Sequence, residues 1–405
     1  MIEGIAARNF KSLGDFKLKL GPFTCLIGMN GAGKTSILQA IDFMSQLMVG
    51  RIDDWLEMRE WVPGDLVSKF SPSANIQLAL SFLTEGGQRV GWGGQFNRHS
   101  LACTSENLTV DGETVLTVRG QVLKVHGAAE LQGPIGFNYQ GSVLSQLKGD
   151  NLPPAVLAFR DAMRKIRSLE LLAPNLMRRR ARSSESDIGP GGEKLSAFLD
   201  SIRGAERDSL RDLLRTFYPR LEDFKITSQR AGWKKLSVFE RFGDHRIETE
   251  ARHINDGLLR VLAILAQAAS DRSLILLDEI ENGINPEIVE ALVGALLASP
   301  QQMLVTTHSP MILNYLPDDT ARQALQFVYK NPAGQTRVRP FFSIDRIARK
   351  LEVMGPGEAF VDTDLEALTS ECVLQDQDDE AQKLARMHAS LAEQAKDMLS
   401  RIDPP

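Results

Sequence analysis

The chain is poor in cysteine: Cys25, Cys103 and Cys372 are the only three in 405 residues, and they lie far apart. Their spacing fits neither a metal-binding cluster nor a disulfide framework, so a reducing, cytoplasmic compartment is expected. No apolar run approaches the ~20 residues needed to span a bilayer. Met1-Ile2-Glu3-Gly4-Ile5 offers no basic segment followed by an apolar stretch. Neither a membrane span nor an export signal is therefore expected. Positive charge is not in excess: the net charge of −5 excludes a polycation built to coat nucleic acid, leaving only a local basic patch for such contact. There is no internal repeat, and no heptad tract is long enough for an extended coiled-coil arm.

The chain is 43% hydrophobic and 24% charged, long enough to bury a large core and to form two lobes. Residues 1–27 read as short strands. Phe16-Lys17-Leu18-Lys19-Leu20 alternates apolar with polar, and Phe23 to Ile27 is an apolar run leading into a glycine-rich turn. From Ser36, the residues Ile37, Leu38, Ile41 and Met44 have helical spacing. Residues 75–140 favour strands, 154–182 a basic helical stretch, 183–192 a polar loop, Glu193 to about Tyr218 a helical stretch, and 224–250 strands again. A helix starts near Asp256, and Leu274-Ile275-Leu276-Leu277 is the strongest buried-strand run. A helix near 287–298 and the strand Met303–Thr306 follow. Residues 377–400 read as one exposed helix with an incomplete apolar face, Leu384, Met387, Leu391 and Met398.

Three motifs carry chemistry. Gly28-Met29-Asn30-Gly31-Ala32-Gly33-Lys34-Thr35 matches the full phosphate-loop pattern between a strand and a helix. Glycines let backbone N–H groups turn toward phosphate oxygens, and the helix adds its positive end. A nucleoside triphosphate, taken as ATP, is expected against Asn30, Gly31, Ala32, Gly33, Lys34, Thr35 and Ser36. Lys34 reaches the β- and γ-phosphates and the Thr35 hydroxyl ligates Mg²⁺. The apolar run 274–277 ends in Asp278 and Glu279, which places both carboxylates at the carboxyl edge of a parallel sheet. Asp278 is expected in the Mg²⁺ shell, and Glu279 orients or deprotonates the attacking water. His308, in Thr306-Thr307-His308-Ser309-Pro310, follows the next strand and can sense the γ-phosphate; a lone histidine is more often structural.

With these motifs in this order the chain resembles an ABC-type ATPase head, specifically the SMC/RecF-like group and its stand-alone bacterial relatives, the AAA family ATPases. The resemblance implies an α/β fold of the P-loop NTPase class, an ABC-type head with a mixed β lobe and a helical insertion. It divides the chain into a discontinuous nucleotide-binding core (1–45 and 250–345), a β-rich lobe (46–149), a helical, basic insertion with return strands (150–249), and an acidic, helical C-terminal region (346–405). Asn9-Phe10-Lys11-Ser12-Leu13 is similar to the group's N-terminal strand motif, which implies Lys11 and Ser12 near the nucleotide. Gln140 is placed where the group carries its metal-contacting glutamine, with Gln132 and Gln146 nearby. Asn255-Asp256-Gly257 resembles the group's signature, with Asn where serine is usual; it implies a helix start offered to the γ-phosphate held by a second copy. Asn282-Gly283-Ile284-Asn285-Pro286 occupies the dimer-contacting loop position. The implied cycle is ATP-driven closure of a homodimer, or a higher oligomer, reopened by hydrolysis.

Two classes of function follow: a DNA-associated or anti-phage defence ATPase acting with a separate effector protein, or a nucleotide-switched scaffold that acts on a protein partner without nucleic acid. A transporter subunit is the weaker third, since no membrane-coupling segment is evident. The basic cluster bears on this choice. Arg160, Arg164, Lys165 and Arg167, followed by Arg178, Arg179, Arg180 and Arg182, offer a duplex DNA contact through 178–182, or are a solvated surface or a patch that pairs with the acidic C-terminal region. Glu358, Asp362 and Asp364 raise a two-metal nuclease site; a glycine turn before an acid-capped helix is the preferred reading.

Overall fold

The computed structural model of the chain describes residues 1–126, 131–149, 152–182 and 187–379. Its centre is a six-stranded sheet in the order Arg167–Ser168, Leu274–Leu277, Gln302–Thr306, Phe23–Ile27, Leu325–Lys330 and Thr336–Pro340. All neighbours are parallel except the last pair, which is an antiparallel hairpin. Both faces of this sheet are covered at its centre, so the strands 23–27, 274–277 and 302–306 are buried throughout rather than alternating, while the edge strands Arg167–Ser168 and Thr336–Pro340 stay polar. Along the acidic strand, Leu274 and Leu276 enter one core while Ile275 and Leu277 enter the other. The same parity separates Leu26 from Cys25 and Ile27, and Leu304 from Met303 and Val305.

The helix Lys34–Val49 lies on one face of that sheet and under a second, eight-stranded one. This is why it is apolar on nearly all sides: Ile37, Leu38, Ile41, Phe43, Met44 and Leu47 are all buried. The second sheet runs Leu13–Lys19, Ile2–Phe10, Asn75–Leu83, Arg89–Asn97, Ala102–Val110, Glu113–Arg119, Val122–Val125, Leu131–Pro134, antiparallel throughout. Its inner face supplies Ile76, Leu78, Leu80, Trp92 and Phe96 to the shared core. Buried Gln302 joins the two sheets, accepting from the Ile2 N–H (3.0 Å) and donating to the Ile2 and Gly21 carbonyls (2.7 and 2.9 Å).

On the other face of the central sheet stand the helices Leu195–Ser201, Gly204–Phe217, Asp256–Ala268 and Pro286–Leu297, with a three-stranded antiparallel sheet, Leu221–Ser228, Lys234–Phe242 and His245–Glu250. A C-terminal helix beginning at 365 is tied to the hairpin by Asp376, which accepts from the Tyr329 hydroxyl (2.7 Å) and from Arg339 (2.7 Å). Among the described residues no helix is long and apolar enough to cross a membrane.

Two sequence expectations change, and a third falls largely on residues that are not described. The strands Ile2–Phe10 and Leu13–Lys19, assigned above to the nucleotide-binding core, pair within the eight-stranded sheet of the β lobe, because their alternating pattern suits a sheet with one buried face. The stretch 154–182 is not one helix. It is a helix Pro154–Arg164, the short strand Arg167–Ser168 at the edge of the central sheet, and a single turn Pro174–Met177 begun by its proline. Of the expected helix 377–400, all but 377–379 lies outside the described residues.

Candidate nucleotide site

The parallel register brings the carboxyl ends of Phe23–Ile27, Leu274–Leu277 and Gln302–Thr306 to one edge. The phosphate loop leaves the first of these strands, and its sharp course needs glycine. Gly33 has φ +109°, and a Cβ there would lie 2.0 Å from Thr336 Oγ1. The helix that follows has no side-chain cap and no acidic residue in its first turn. Its positive end is thus left for an outside anion. Asn30 and Gly31 are exposed, Ala32 is buried, and Ser36 is half-buried on the same rim.

Lys34 is 5% exposed and folds back on the loop, donating to the carbonyls of Gly28 (2.9 Å) and Met29 (3.1 Å). Burial lowers its pKa to about 8, against the opposing pull of Asp278, Glu279 and Glu281. Thr35 donates its hydroxyl hydrogen to Asp278 Oδ2 (2.8 Å) and Thr306 donates to Asp278 Oδ1 (2.5 Å). Thr306 Oγ1 in turn accepts from the Glu279 N–H (2.8 Å), fixing a residue whose backbone is left-handed at φ +47°. Glu279 Oε1 lies 3.8 Å from His308 Nε2, and the His308 N–H is held by Glu281 Oε1 (2.8 Å). A hydroxyl and a carboxylate meeting at a phosphate loop are the hard oxygen donors that Mg²⁺ takes together with substrate phosphates. Thr35 and Asp278 therefore fit that ion.

Lys34, Thr35, Asp278, Glu279 and His308 line one cavity of about 890 Å³, which also takes in Lys11, Ser12, Trp61 and Phe70. That volume is ample for a nucleoside triphosphate. Lys11 Nζ stands 3.3 Å from the centre of the Trp61 ring and donates to Gln39 Oε1 (2.7 Å); burial lowers its pKa to about 8. Ser12 braces the loop from behind, sharing a hydrogen bond with Thr336 Oγ1 (2.8 Å), which donates to the Ala32 carbonyl (2.9 Å).

Gln140 is not at this site. Its Oε1 accepts from the Ile52 and Asp53 N–H groups (2.9 and 3.2 Å), and nearby Ser142 N–H bonds the Leu47 carbonyl. It thus caps a helix beyond the C-terminal end of Lys34–Val49, and Thr35 lies near the opposite end of that helix. From Thr35 to Val49 the helix rises about 21 Å, so Gln140 reaches no ion at Thr35. What the sheet does bring to this edge is Glu170, following the strand Arg167–Ser168 beside the acidic strand. Glu170 accepts from Gln39 (2.5 Å) and Arg59 (3.0 Å), and Arg59 also bonds Asp42 (2.7 Å). The readable signal for this group was buried polar Gln39 and Asp42 among the apolar residues of the helix Lys34–Val49.

Asn255, Asp256 and Gly257 do not line the cavity of their own chain. Asn255 Oδ1 caps the helix Asp256–Ala268 by accepting from the Leu258 N–H (2.7 Å). Asp256 and the Ile254 carbonyl both accept from Arg178 (2.5 and 2.8 Å). Asn285 likewise caps Pro286–Leu297, accepting from the Glu287 N–H (3.3 Å).

Much of the basic run is engaged within the chain, with Arg160, Arg164, Lys165, Arg167 and Arg178 half-buried. Arg160 donates to the Leu147 carbonyl (2.6 Å), Arg164 to those of Met48 and Ser145 (2.9 and 3.0 Å), and Arg167 to that of Ile166 (2.9 Å). Lys165 pairs with Asp271, and Arg182 bonds the Ala231 carbonyl (2.9 Å) beside Trp233. Arg179, Arg180 and Arg182 are exposed. Glu358 and Asp364 serve helix starts and Asp362 pairs with Lys350, so they do not converge as a metal site.

Known proteins share both motif segments and the fold. Residues 159–314 match the family model described as "AAA domain, putative AbiEii toxin, Type IV TA system", and residues 1–80 match an "AAA ATPase domain" model. The OLD nuclease of Thermus scotoductus is 39% identical over 83 residues, which are 20% of this chain and 14% of that protein. The match therefore spans a small part of that relative's length. An SMC head bound to the C-terminal winged-helix domain of ScpA covers 84% of this chain and 96% of its own, with TM-score 0.55 and 15% identity. An SMC head with an extended coiled coil, bound to the C-terminal domain of ScpA from Pyrococcus furiosus, covers 87% and 99%, with TM-score 0.51 and 12% identity. At such identities the likeness is one of fold.

Proposed function

We propose that this chain, an SMC/RecF-like ABC-type ATPase head in fold and motifs, binds ATP with Mg²⁺ at Lys34, Thr35 and Asp278 and hydrolyses it as a homodimer. The observation that carries the reading is the chain of hydrogen bonds Thr35–Asp278–Thr306–Glu279, which gathers the phosphate loop and both acids at one sheet edge. The ion, when bound, neutralises charge on the phosphates. Lys34 moves its ammonium from the Gly28 and Met29 carbonyls to the phosphate oxygens. Glu279 is half exposed at the cavity, in place to orient water and take its proton. His308 stands beside it as a donor to the γ-phosphate.

Asn255, Asp256 and Gly257 act on a second copy. They are outside their own cavity and at a capped helix start, as a residue set serving another subunit's phosphate loop requires. ATP should therefore raise the sedimenting mass from monomer to dimer in the presence of Mg²⁺; an unchanged profile at saturating ATP speaks against the composite site.

Closure drives or gates a DNA-associated or anti-phage defence process through a separate effector; the sequence shared with an OLD nuclease supports that setting. The alternative is a switched scaffold acting on a protein partner without nucleic acid. The engagement of Arg160, Arg164, Arg167 and Arg178 within the chain favours this second reading, because it leaves Arg179, Arg180 and Arg182 as the exposed members of the run. Duplex binding at low salt that fails on charge reversal of Arg179 and Arg180 decides for the first.

A further inference from the structure

The hairpin Leu325–Lys330 and Thr336–Pro340 belongs to none of the three motifs, yet its second strand starts against the phosphate loop. Thr336 is fully buried there and does not line the nucleotide cavity. Its hydroxyl donates to the Ala32 carbonyl (2.9 Å), 304 positions away in the chain. A threonine hydroxyl has one hydrogen to give. With that hydrogen on Ala32, the 2.8 Å bond between Thr336 and Ser12 is donated by Ser12. The bonds therefore run in one direction, from Ser12 to Thr336 to Ala32.

This contact decides which way one peptide plane faces. In a trans peptide the carbonyl of one residue and the N–H of the next point in opposite directions. The Ala32 carbonyl is turned back onto buried Thr336, so the Gly33 N–H points away from Thr336, toward the cavity that Gly33 lines. That N–H has no acceptor among the described residues. Free N–H groups turned into a concavity are what a phosphate loop offers an anion. Gly33, at φ +109°, has no Cβ to resist rotation of the plane. A flipped plane would aim the negative end of the carbonyl at the phosphates instead.

The hydroxyl is held from outside the loop. The Thr336 N–H donates to the Ser12 carbonyl (2.8 Å) and Arg337 to the Asp15 carbonyl (2.8 Å). At the far end of the hairpin, Tyr329 and Arg339 both donate to Asp376 of the C-terminal helix (2.7 Å each).

We propose that Thr336 is a positioning residue: its hydroxyl sets the Ala32–Gly33 peptide so that the Gly33 N–H faces the phosphates. This rests on the nucleotide-binding reading above. The eight residues of the loop do not set their own anion-binding face; a hairpin from the far end of the sequence completes it.

The test is calorimetric binding of ATP and of inorganic tripolyphosphate, each with Mg²⁺, to the full chain, with thermal unfolding as a control for folding. Thr336→Val keeps the shape and removes the hydroxyl, and Thr336→Ala removes it with less bulk. Both should weaken ATP and tripolyphosphate by the same factor, about tenfold. Thr336→Ser, which restores the hydroxyl, should bind within about twofold of wild type. Arg339→Ala loosens the same hairpin without touching the loop; it should lower the melting temperature and leave ATP affinity within about twofold. The proposal is overturned if the Val and Ala variants bind ATP as wild type does, if Thr336→Ser is as weak as Thr336→Val, or if Arg339→Ala loses as much affinity. Wild type that binds neither ATP nor tripolyphosphate would instead sink the nucleotide reading itself, and this role with it.

Discussion

Thr35 and Asp278 meet across a 2.8 Å hydrogen bond although 243 positions separate them in the chain. The contact exists because two parallel strands end at the same edge, one into the phosphate loop and one into the acidic pair. If these two side chains hold Mg²⁺ together with the phosphates, Thr35→Ala and Asp278→Asn should each lower ATP turnover about a hundredfold or more. Both should also raise the Mg²⁺ concentration needed for half-maximal rate. A Mg²⁺ titration of hydrolysis reads both effects; an unaltered Mg²⁺ requirement rules these two out as its ligands.

Lys34 gives a pH signature. Burial holds its pKa near 8, below the usual 10.5, so the folded chain releases this proton at lower pH than the unfolded chain. The cost of burying the charge is therefore full below pH 8 and fades between pH 8 and 10.5. Bound phosphates favour the ammonium, so at pH 8.5 ATP binding should take up roughly half a proton or more. Calorimetry in buffers of differing ionisation enthalpy measures it, and zero uptake contradicts this placement of Lys34.

The phosphate loop, the acidic pair, the edge histidine and the buried strands were legible because each is a short run with local meaning. The metal-contacting glutamine was not. Gln140 has a suitable side chain in the right sequence interval, yet its position is fixed by the Ile52 and Asp53 N–H groups it caps. The strand that does reach the edge, Arg167–Ser168, is only two residues long and sits inside a basic stretch that reads as helix. Its place comes from parallel pairing with Leu274–Leu277, which no local pattern encodes. The basic run misled for the same reason: the carbonyls that Arg160 and Arg164 bind lie in distant turns.

Arg164 supplies a stability contrast within that run. Its guanidinium closes the Met48 and Ser145 carbonyls, including one at the end of the phosphate-loop helix. Arg164→Ala should cost about 2 kcal/mol, whereas Arg179→Ala, at an exposed position, should fall within about 0.5 kcal/mol of wild type. Urea unfolding of the two variants separates these outcomes; equal stability denies Arg164 its internal role.

Glu106 lies buried in the β lobe, accepting from Trp92 Nε1 (2.9 Å), the Val143 N–H (2.7 Å) and the Ser142 hydroxyl. Burial outweighs these bonds and raises its pKa to about 7, from 4.5. A raised carboxyl pKa means that its stabilising share is full below pH 4.5 and is lost as pH rises through 7. Glu106→Gln should therefore gain on wild type in melting temperature between pH 5 and pH 8, by on the order of a few degrees. A constant difference across that range contradicts the assignment.

The central claim is that Glu279 serves hydrolysis in a site completed by a second copy. Its most direct test is Glu279→Gln with Mg²⁺ and ATP, following phosphate release and sedimentation on the same sample. The expected result is retained ATP binding, hydrolysis lowered at least about a hundredfold, and a stable dimer that dissociates when ATP is removed. Hydrolysis at the wild-type rate, or a variant that stays monomeric at saturating ATP, would contradict it.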